Sequence, residues 1–469
     1  MDEHQNYEIH RPSTRRKKRT QIQIFKEVYL PAIIACITVI FILIFTIGSI
    51  VRAIQRGQLN AQIKQQESIA EENRQAQLRQ QVTSLLNDAS FLAQQYDYDG
   101  AISLLDSFEG DSSQFPEIAK MRNEYSEASK TLVIWDNPNN IINLSFHVLI
   151  ADPSRAFSDG TYGASYNRNF ITTEEFSKIL QQLYDNNYIL VSLSDIVSGG
   201  NLKDLYLPEG KKPVILTQTQ VNYYNYMIDS DGDKQPDAGG DGFASKLIID
   251  SNGNITCEMV DASGQTVTGA FDLVPILDSF VQTHPDFSYK GAKATLAVTG
   301  YDGLFGYRTN ANAATYLDAD TFNQQSVAAT EIAQKLRDTG YEIACYTYSN
   351  TAYGSILPEK VQADLNKWRV EVAPILGDVD TLVYAQNSDI AASATAYSGD
   401  KYDILSAFGF KNYLGFCTKG SPWINIADNC FRQGRLMITG TNMTTNAAWF
   451  SGIFDAASVI STARPAPQP

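Results

Sequence analysis

The sequence predicts an α/β fold, a barrel or doubly wound parallel sheet, carried behind a single membrane-length helix. Three observations predict it. Residues 28–51 hold no charge at all; residues 52–130 read as helix; and from about residue 140 short apolar strands alternate with helices.

The uncharged run spans 24 residues, and a helix needs about 20 to cross the hydrocarbon core. It is too long for a signal-peptide core. Residues 1–27 carry seven basic side chains (Arg11, Arg15, Arg16, Lys17, Lys18, Arg19, Lys26) against four acids, which places this tail in the cytoplasm, although Arg52 and Arg56 flank the other end. The whole chain of 469 residues has net charge -15, with 30 basic and 48 acidic residues beyond the tail. So acidic an outer region is a poor partner for a phosphate backbone, and nucleic acid is excluded as the expected ligand.

Behind the membrane segment, residues 52–80 are polar nearly all round, as in a stalk or weak coiled coil. Leu85, Ala89, Leu92 and Ala93, then Ala101, Ile102, Leu104 and Leu105 past a turn at 96–100, look like one helical hairpin of the tetratricopeptide type. Residues 83–130 are therefore a spacer or a docking unit for a protein partner. Pro138 within the asparagine run 137–140 marks a linker, and the main domain is expected over 140–463 with a loose Pro-rich end from Arg464.

Within that domain, strand is predicted at 142–150, 188–193, 214–217, 294–299, 343–346, 382–384 and 413–417. Helix is predicted at 172–186, opened by a Thr172/Glu175 capping box, and at 271–284, 322–338 with Gly340 as its stop, 358–374 and 402–408. The four outer cysteines are Cys257, Cys345, Cys417 and Cys430. Cys417 and Cys430 are close enough in sequence for a disulfide in an oxidising envelope, and two free thiols fit equally.

Several segments appear in a suggestive order: Pro213-Val-Ile-Leu-Thr217, Val221-Asn-Tyr-Tyr224, Gly242-Phe-Ala-Ser245, Pro285-Asp-Phe-Ser288, Thr299-Gly-Tyr301, Gly306-Tyr-Arg-Thr309, the strand at 342–346 and Arg432-Gln-Gly-Arg435. Over 140–445 the chain resembles the polysaccharide deacetylases with a NodB-type homology domain, in a membrane-anchored, clostridial-type branch. The resemblance implies a distorted (β/α) barrel that removes acetyl groups from N-acetylated sugars of peptidoglycan or chitin. It also implies an aspartate pair, one base and one metal ligand, two histidines four residues apart completing the metal site, and a later histidine as acid.

Carried over residue by residue, the aspartate pair falls on Thr219 and Gln220, and the metal histidines fall on Tyr346 and Asn350. The proline–glycine loop reads Tyr384-Ala-Gln-Asn387, and no histidine follows His284. Threonine and glutamine offer only neutral oxygens, and neither is a base near neutral pH. Zinc is therefore not expected, and the favoured reading is a scaffold that has lost its metal and turnover, with a misplaced motif alignment as the rival. His147 and His284, the outer histidines, read as structural. Tyr223, Tyr224, Tyr226 and Tyr384 are candidates for stacking on sugar faces, with core packing as the plain alternative. Trp368, Trp423 and Trp449 carry no positional argument.

A second pattern is Asp229-Ser-Asp-Gly-Asp-Lys-Gln-Pro-Asp237, with carboxylates at Asp229, Asp231, Asp233 and Asp237 and a further one at Asp241. It resembles the calcium loops of thrombospondin-type and dockerin-like repeats, and it equally fits a solvated acidic turn. Three functions follow: an envelope-facing protein holding cell-wall polysaccharide without turnover, an active metal-dependent deacetylase, or an envelope scaffold acting through the hairpin.

Overall fold

A computed structural model describes residues 21–158, 160–427 and 430–465. All of the predicted basic tail except residues 21–27, and with it the cluster Arg11 to Arg19, lies outside the described residues, as do residues 466–469. The chain divides into two compact units, Met1–Thr83 and Ser84–Pro469.

In the first unit the helix begins at Gln21, passes one π-helical stretch at Phe25–Tyr29 and continues as Leu30–Gln94. It is long and apolar enough to cross a membrane. The hydroxyls of Thr38, Thr46 and Ser49 donate back to the carbonyls of Ile34, Leu43 and Phe45, so these polar groups are satisfied within the apolar run.

The second unit begins inside the end of that helix. Tyr96 turns the chain with φ +61°, and Asp97 caps the helix Tyr98–Asp106, which packs against Pro116–Ser129. The hairpin is not a free-standing spacer. The carbonyl of buried Gln95 accepts from the Lys290 amide at 2.8 Å, and Tyr96 packs on the cluster that fills the lower barrel.

Seven parallel strands form the barrel: β1 (Ile142–Phe146), β2 (Lys212–Thr219), β3 (Ala294–Val298), β4 (Glu342–Cys345), β5 (Thr381–Val383), β6 (Asn412–Phe416) and β7 (Cys430–Met437). Neighbours in sequence are neighbours in space, and the ring closes where Leu436 of β7 sits opposite Leu144 of β1. Tyr188–Leu190 pairs alongside the lower part of β2, and Ile424–Ala427 runs antiparallel to β7. The chain is thus a (β/α) barrel, with the closed alternative realised rather than the open sheet.

Strand alternation decides what faces inward. Leu144, Phe146 and Leu216 point out and pack beneath the covering helices with Phe176, Ile179 and Leu277. Asn143, Thr217 and Gln433 point into the lumen and bond to one another: Asn143 Nδ2 donates to Gln433 Oε1 at 3.2 Å, and Thr217 Oγ1 to Asn143 Oδ1 at 2.8 Å. The first covering helix, Thr173–Asp185, opens with the Thr172/Glu175 capping box in both directions. Ala319–Asp338 ends before Gly340, whose φ of +96° and close approach to the Gly291 carbonyl leave no room for a Cβ. A three-stranded antiparallel sheet, Lys246–Ile249, Ile255–Val260 and Thr266–Gly269, is inserted between β2 and β3.

Two expectations are corrected here. Arg464 is not part of a loose tail: its side chain, 3% exposed, bonds Glu175 at 2.6 Å. Cys417 and Cys430 form no disulfide. Asn412 sits opposite Phe431 and Phe416 opposite Arg435, so Cys430 lies beside the start of β6 and Cys417 beyond its end. Six residues of strand separate the two levels, about 20 Å, against the roughly 7 Å limit for bridging Cα atoms.

Candidate functional site at the barrel mouth

The loops leaving the C-terminal ends of the strands are where a barrel of this kind gathers chemistry. Here they hold strained backbone. Gln220 and Tyr223 after β2, Thr347 and Asn350 after β4, and Gln386 and Asn387 after β5 all take φ between +52° and +64° without being glycine.

Three strands converge on one cluster at this end. His147 follows β1, and its Nδ1 lies 2.8 Å from Thr219 Oγ1, the last residue of β2. Tyr346 follows β4, buried, and its phenol is influenced by the Thr219 side chain and the Gln386 backbone N–H. Asn350 joins through Gln386, whose Nε2 donates to the Asn350 carbonyl at 2.7 Å. Gln220 continues from Thr219 with its amide donated to the Ala297 carbonyl at 2.8 Å. The structure therefore places Thr219 and Tyr346 at the same end of the barrel, with Asn350 joined to it through Gln386.

The fourth member was quoted in the sequence without a role. Arg435, on β7, is fully buried. Its Nε donates to the Gly415 carbonyl at 2.9 Å, Nη1 to Ser145 Oγ at 2.9 Å and Nη2 to the Tyr384 carbonyl at 3.1 Å, while Nη1 also meets Met437 Sδ at 3.7 Å. Every one of these acceptors is neutral. Burial pulls the Arg435 pKa down, opposed by Tyr346 and Cys417. Burial, and then the Arg435 charge, depress His147 to about 4, so the imidazole is neutral near pH 7. Burial raises the Tyr346 phenol, with Arg435 pulling the other way.

A hydrolytic divalent metal needs carboxylates and imidazoles around it. The donors assembled here are one imidazole, a threonine hydroxyl and a phenol, with a fixed cation beside them. These residues do not fit such a metal, because Arg435 opposes a second positive charge where carboxylates would have to balance it.

The tyrosines divide between the two readings. Tyr223, Tyr224 and Tyr384 are all buried, so none offers a ring face to a ligand. Tyr223 donates to the buried Asp272 carboxylate at 2.6 Å, where Gln218 Nε2 also donates at 2.6 Å, and Tyr384 stacks on Tyr413. Tyr224 bonds Thr299 Oγ1 at 2.9 Å and is the shared member of a ladder of near-parallel rings, with Tyr226 at 5.9 Å and Tyr301 at 5.0 Å. Tyr162 leans on Tyr226 at 5.3 Å. The outer rings stay open, with Tyr162, Tyr226 and Tyr301 at 42%, 43% and 37% exposure. The ladder adjoins the mouth, since Tyr224 and Tyr226 follow the end of β2 and Tyr301 follows the end of β3.

In the acidic loop, Asp229, Asp231 and Asp237 bring oxygens within 4.8 Å of one another. Asp233 lies outside that group, and Asp241 instead accepts from the Tyr166 hydroxyl at 2.6 Å. The loop spends its carboxylates on its own backbone: Asp229 accepts from the Gly232 and Lys234 amides, and Asp237 from those of Ser230 and Gly239. His284, far from the mouth, stacks on Phe280.

His147 and Arg435 were missed as site residues. The signal that finds them is polarity at alternate positions of otherwise apolar strands: Asn143, Ser145 and His147; Thr217 and Thr219; Gln433 and Arg435.

No family model matches the chain, and no curated protein sequence matches it. Among solved structures, Streptococcus pyogenes deacetylase PplD in complex with acetate is similar with a TM-score of 0.35 and 14% identity, over 67% of this chain and 95% of that one. A likeness of this size speaks to neither substrate nor reaction.

Proposed function

We propose that the chain is a membrane-tethered, extracytoplasmic protein that holds N-acetylated cell-wall polysaccharide without hydrolysing it. The observation that carries this reading is the buried Arg435 cation, surrounded by neutral acceptors at the mouth where a deacetylase-type barrel needs carboxylates and a metal. The exposed rings of Tyr162, Tyr226 and Tyr301 beside that mouth supply apolar faces of the kind sugars stack on. The basic tail ahead of the apolar helix supports placing the acidic outer unit on the far side of the membrane.

Full-length protein in detergent micelles, titrated with N-acetylglucosamine oligomers, tests the platform. Tyr226→Ala and Tyr301→Ala are each expected to weaken binding roughly tenfold, or about 1.4 kcal/mol. Wild-type affinity in both variants removes the ladder from the account.

A further inference from the structure

We propose that the barrel mouth is a carboxylate site, and that Arg435 reads the acid group of an acidic sugar. This rests on the glycan reading above and names the ligand class that the site prefers.

A guanidinium has five N–H donors in a planar fork matched to a carboxylate. Among the described residues, Arg435 meets two backbone carbonyls, one serine hydroxyl and one thioether, and no carboxylate. The other buried arginines of the barrel unit are paired: Arg432 with Asp389, Arg308 with Asp302 and Arg464 with Glu175. A cation out of water without a counter-charge is costly, and a buried charge is normally balanced by a partner.

The partner's place is indicated by the weakest contact. Thioether sulfur is a poor acceptor, and Met437, which supplies it, is the partly exposed residue next to Arg435 at the rim. Met437 is flexible, so its side chain can swing aside and leave an Nη1 hydrogen for a carboxylate oxygen. Such a charge-assisted bond is about twice as strong as a neutral one. The tyrosine ladder beside the mouth would hold the sugar ring while the acid group reaches inward. His147, held neutral, and the Tyr346 phenol both feel the Arg435 charge without adding a competing negative charge.

The test compares a glucuronate-containing oligosaccharide with an N-acetylglucosamine oligomer of equal length, on full-length protein in detergent at low salt. The acidic oligomer is expected to bind at least tenfold tighter. Arg435→Met is expected to erase that preference, and Arg435→Lys to restore part of it. Equal binding of both oligomers by the wild type, or a preference that survives Arg435→Met, overturns the proposal while leaving neutral glycan binding intact. If Arg435→Met fails to fold, methyl NMR of the wild type decides. Glucuronate is expected to shift the Met437 methyl resonance even where no oligomer binds, and an unmoved Met437 signal at saturating glucuronate overturns the site.

Discussion

Replacing Arg464 with alanine is expected to destabilise the barrel unit by about 3–5 kcal/mol, the cost of stranding a buried charge. Glu175 is fully buried, with one oxygen accepting from the Ser461 amide at 3.0 Å and Arg464 Nε at 2.9 Å. The other accepts from the Thr172 amide at 2.8 Å and Arg464 Nη2 at 2.6 Å. One carboxylate thus caps the first covering helix and fixes the end of the chain. Arg464 also donates to the Phe170 carbonyl at 2.9 Å, tying down the loop ahead of that helix. Removing the arginine leaves the carboxylate unbalanced. Removing both charges, as Glu175→Gln with Arg464→Met, is expected to recover most of the loss. Urea unfolding of the two variants checks this; a loss under about 1 kcal/mol in Arg464→Ala contradicts the clamp.

The second large effect is acid sensitivity through His147. The ring lies between Thr219, Arg435 and the Phe170 ring, 5.1 Å away, and its pKa is lowered by burial and then by Arg435 to about 4. An unfolded histidine takes up its proton near 6.5. The folded state therefore favours the neutral ring. Its contribution is fully present above about pH 6.5 and is lost as pH falls from there towards 4. The shift corresponds to at most about 3 kcal/mol, reduced by the solvent that reaches the ring edge. His147→Asn is expected to flatten the stability profile between pH 6.5 and 4. NMR titration is expected to give His147 a midpoint near 4, and a midpoint at or above 6.5 contradicts the buried, Arg435-facing placement.

Much of the barrel was legible because its local signals agree with its long-range pairing. The Thr172/Glu175 box marks the helix start to the residue, Gly340 marks a stop, and the apolar run at 214–217 lies inside β2. β7 was not legible: its sequence, Cys-Phe-Arg-Gln-Gly-Arg-Leu-Met, reads as polar loop, because its inward side chains fill a polar lumen rather than an oily one. The inserted sheet was missed although Ile255–Val260 alternates buried and half-buried residues, the plainest strand pattern there is. At the site, the resemblance pointed to Thr219 and Tyr346, which lie at the ends of β2 and β4. It could not show a buried cation nearby, since Arg435 on β7 reaches Ser145 on β1 only through barrel closure. Of the candidate tyrosines after β2, the turn takes Tyr223 and Tyr224 inward and leaves Tyr226 out, while Tyr162 and Tyr301 come to the ladder from other loops.

The central claim is that this mouth binds sugar without cleaving its acetyl groups, and one assay addresses it directly. Full-length protein supplied with equimolar zinc and excess N-acetylglucosamine oligomer is followed for free acetate while oligomer binding is recorded on the same sample. The account predicts bound oligomer with acetate no higher than in buffer. Acetate released over many turnovers, and abolished by His147→Ala, would contradict it.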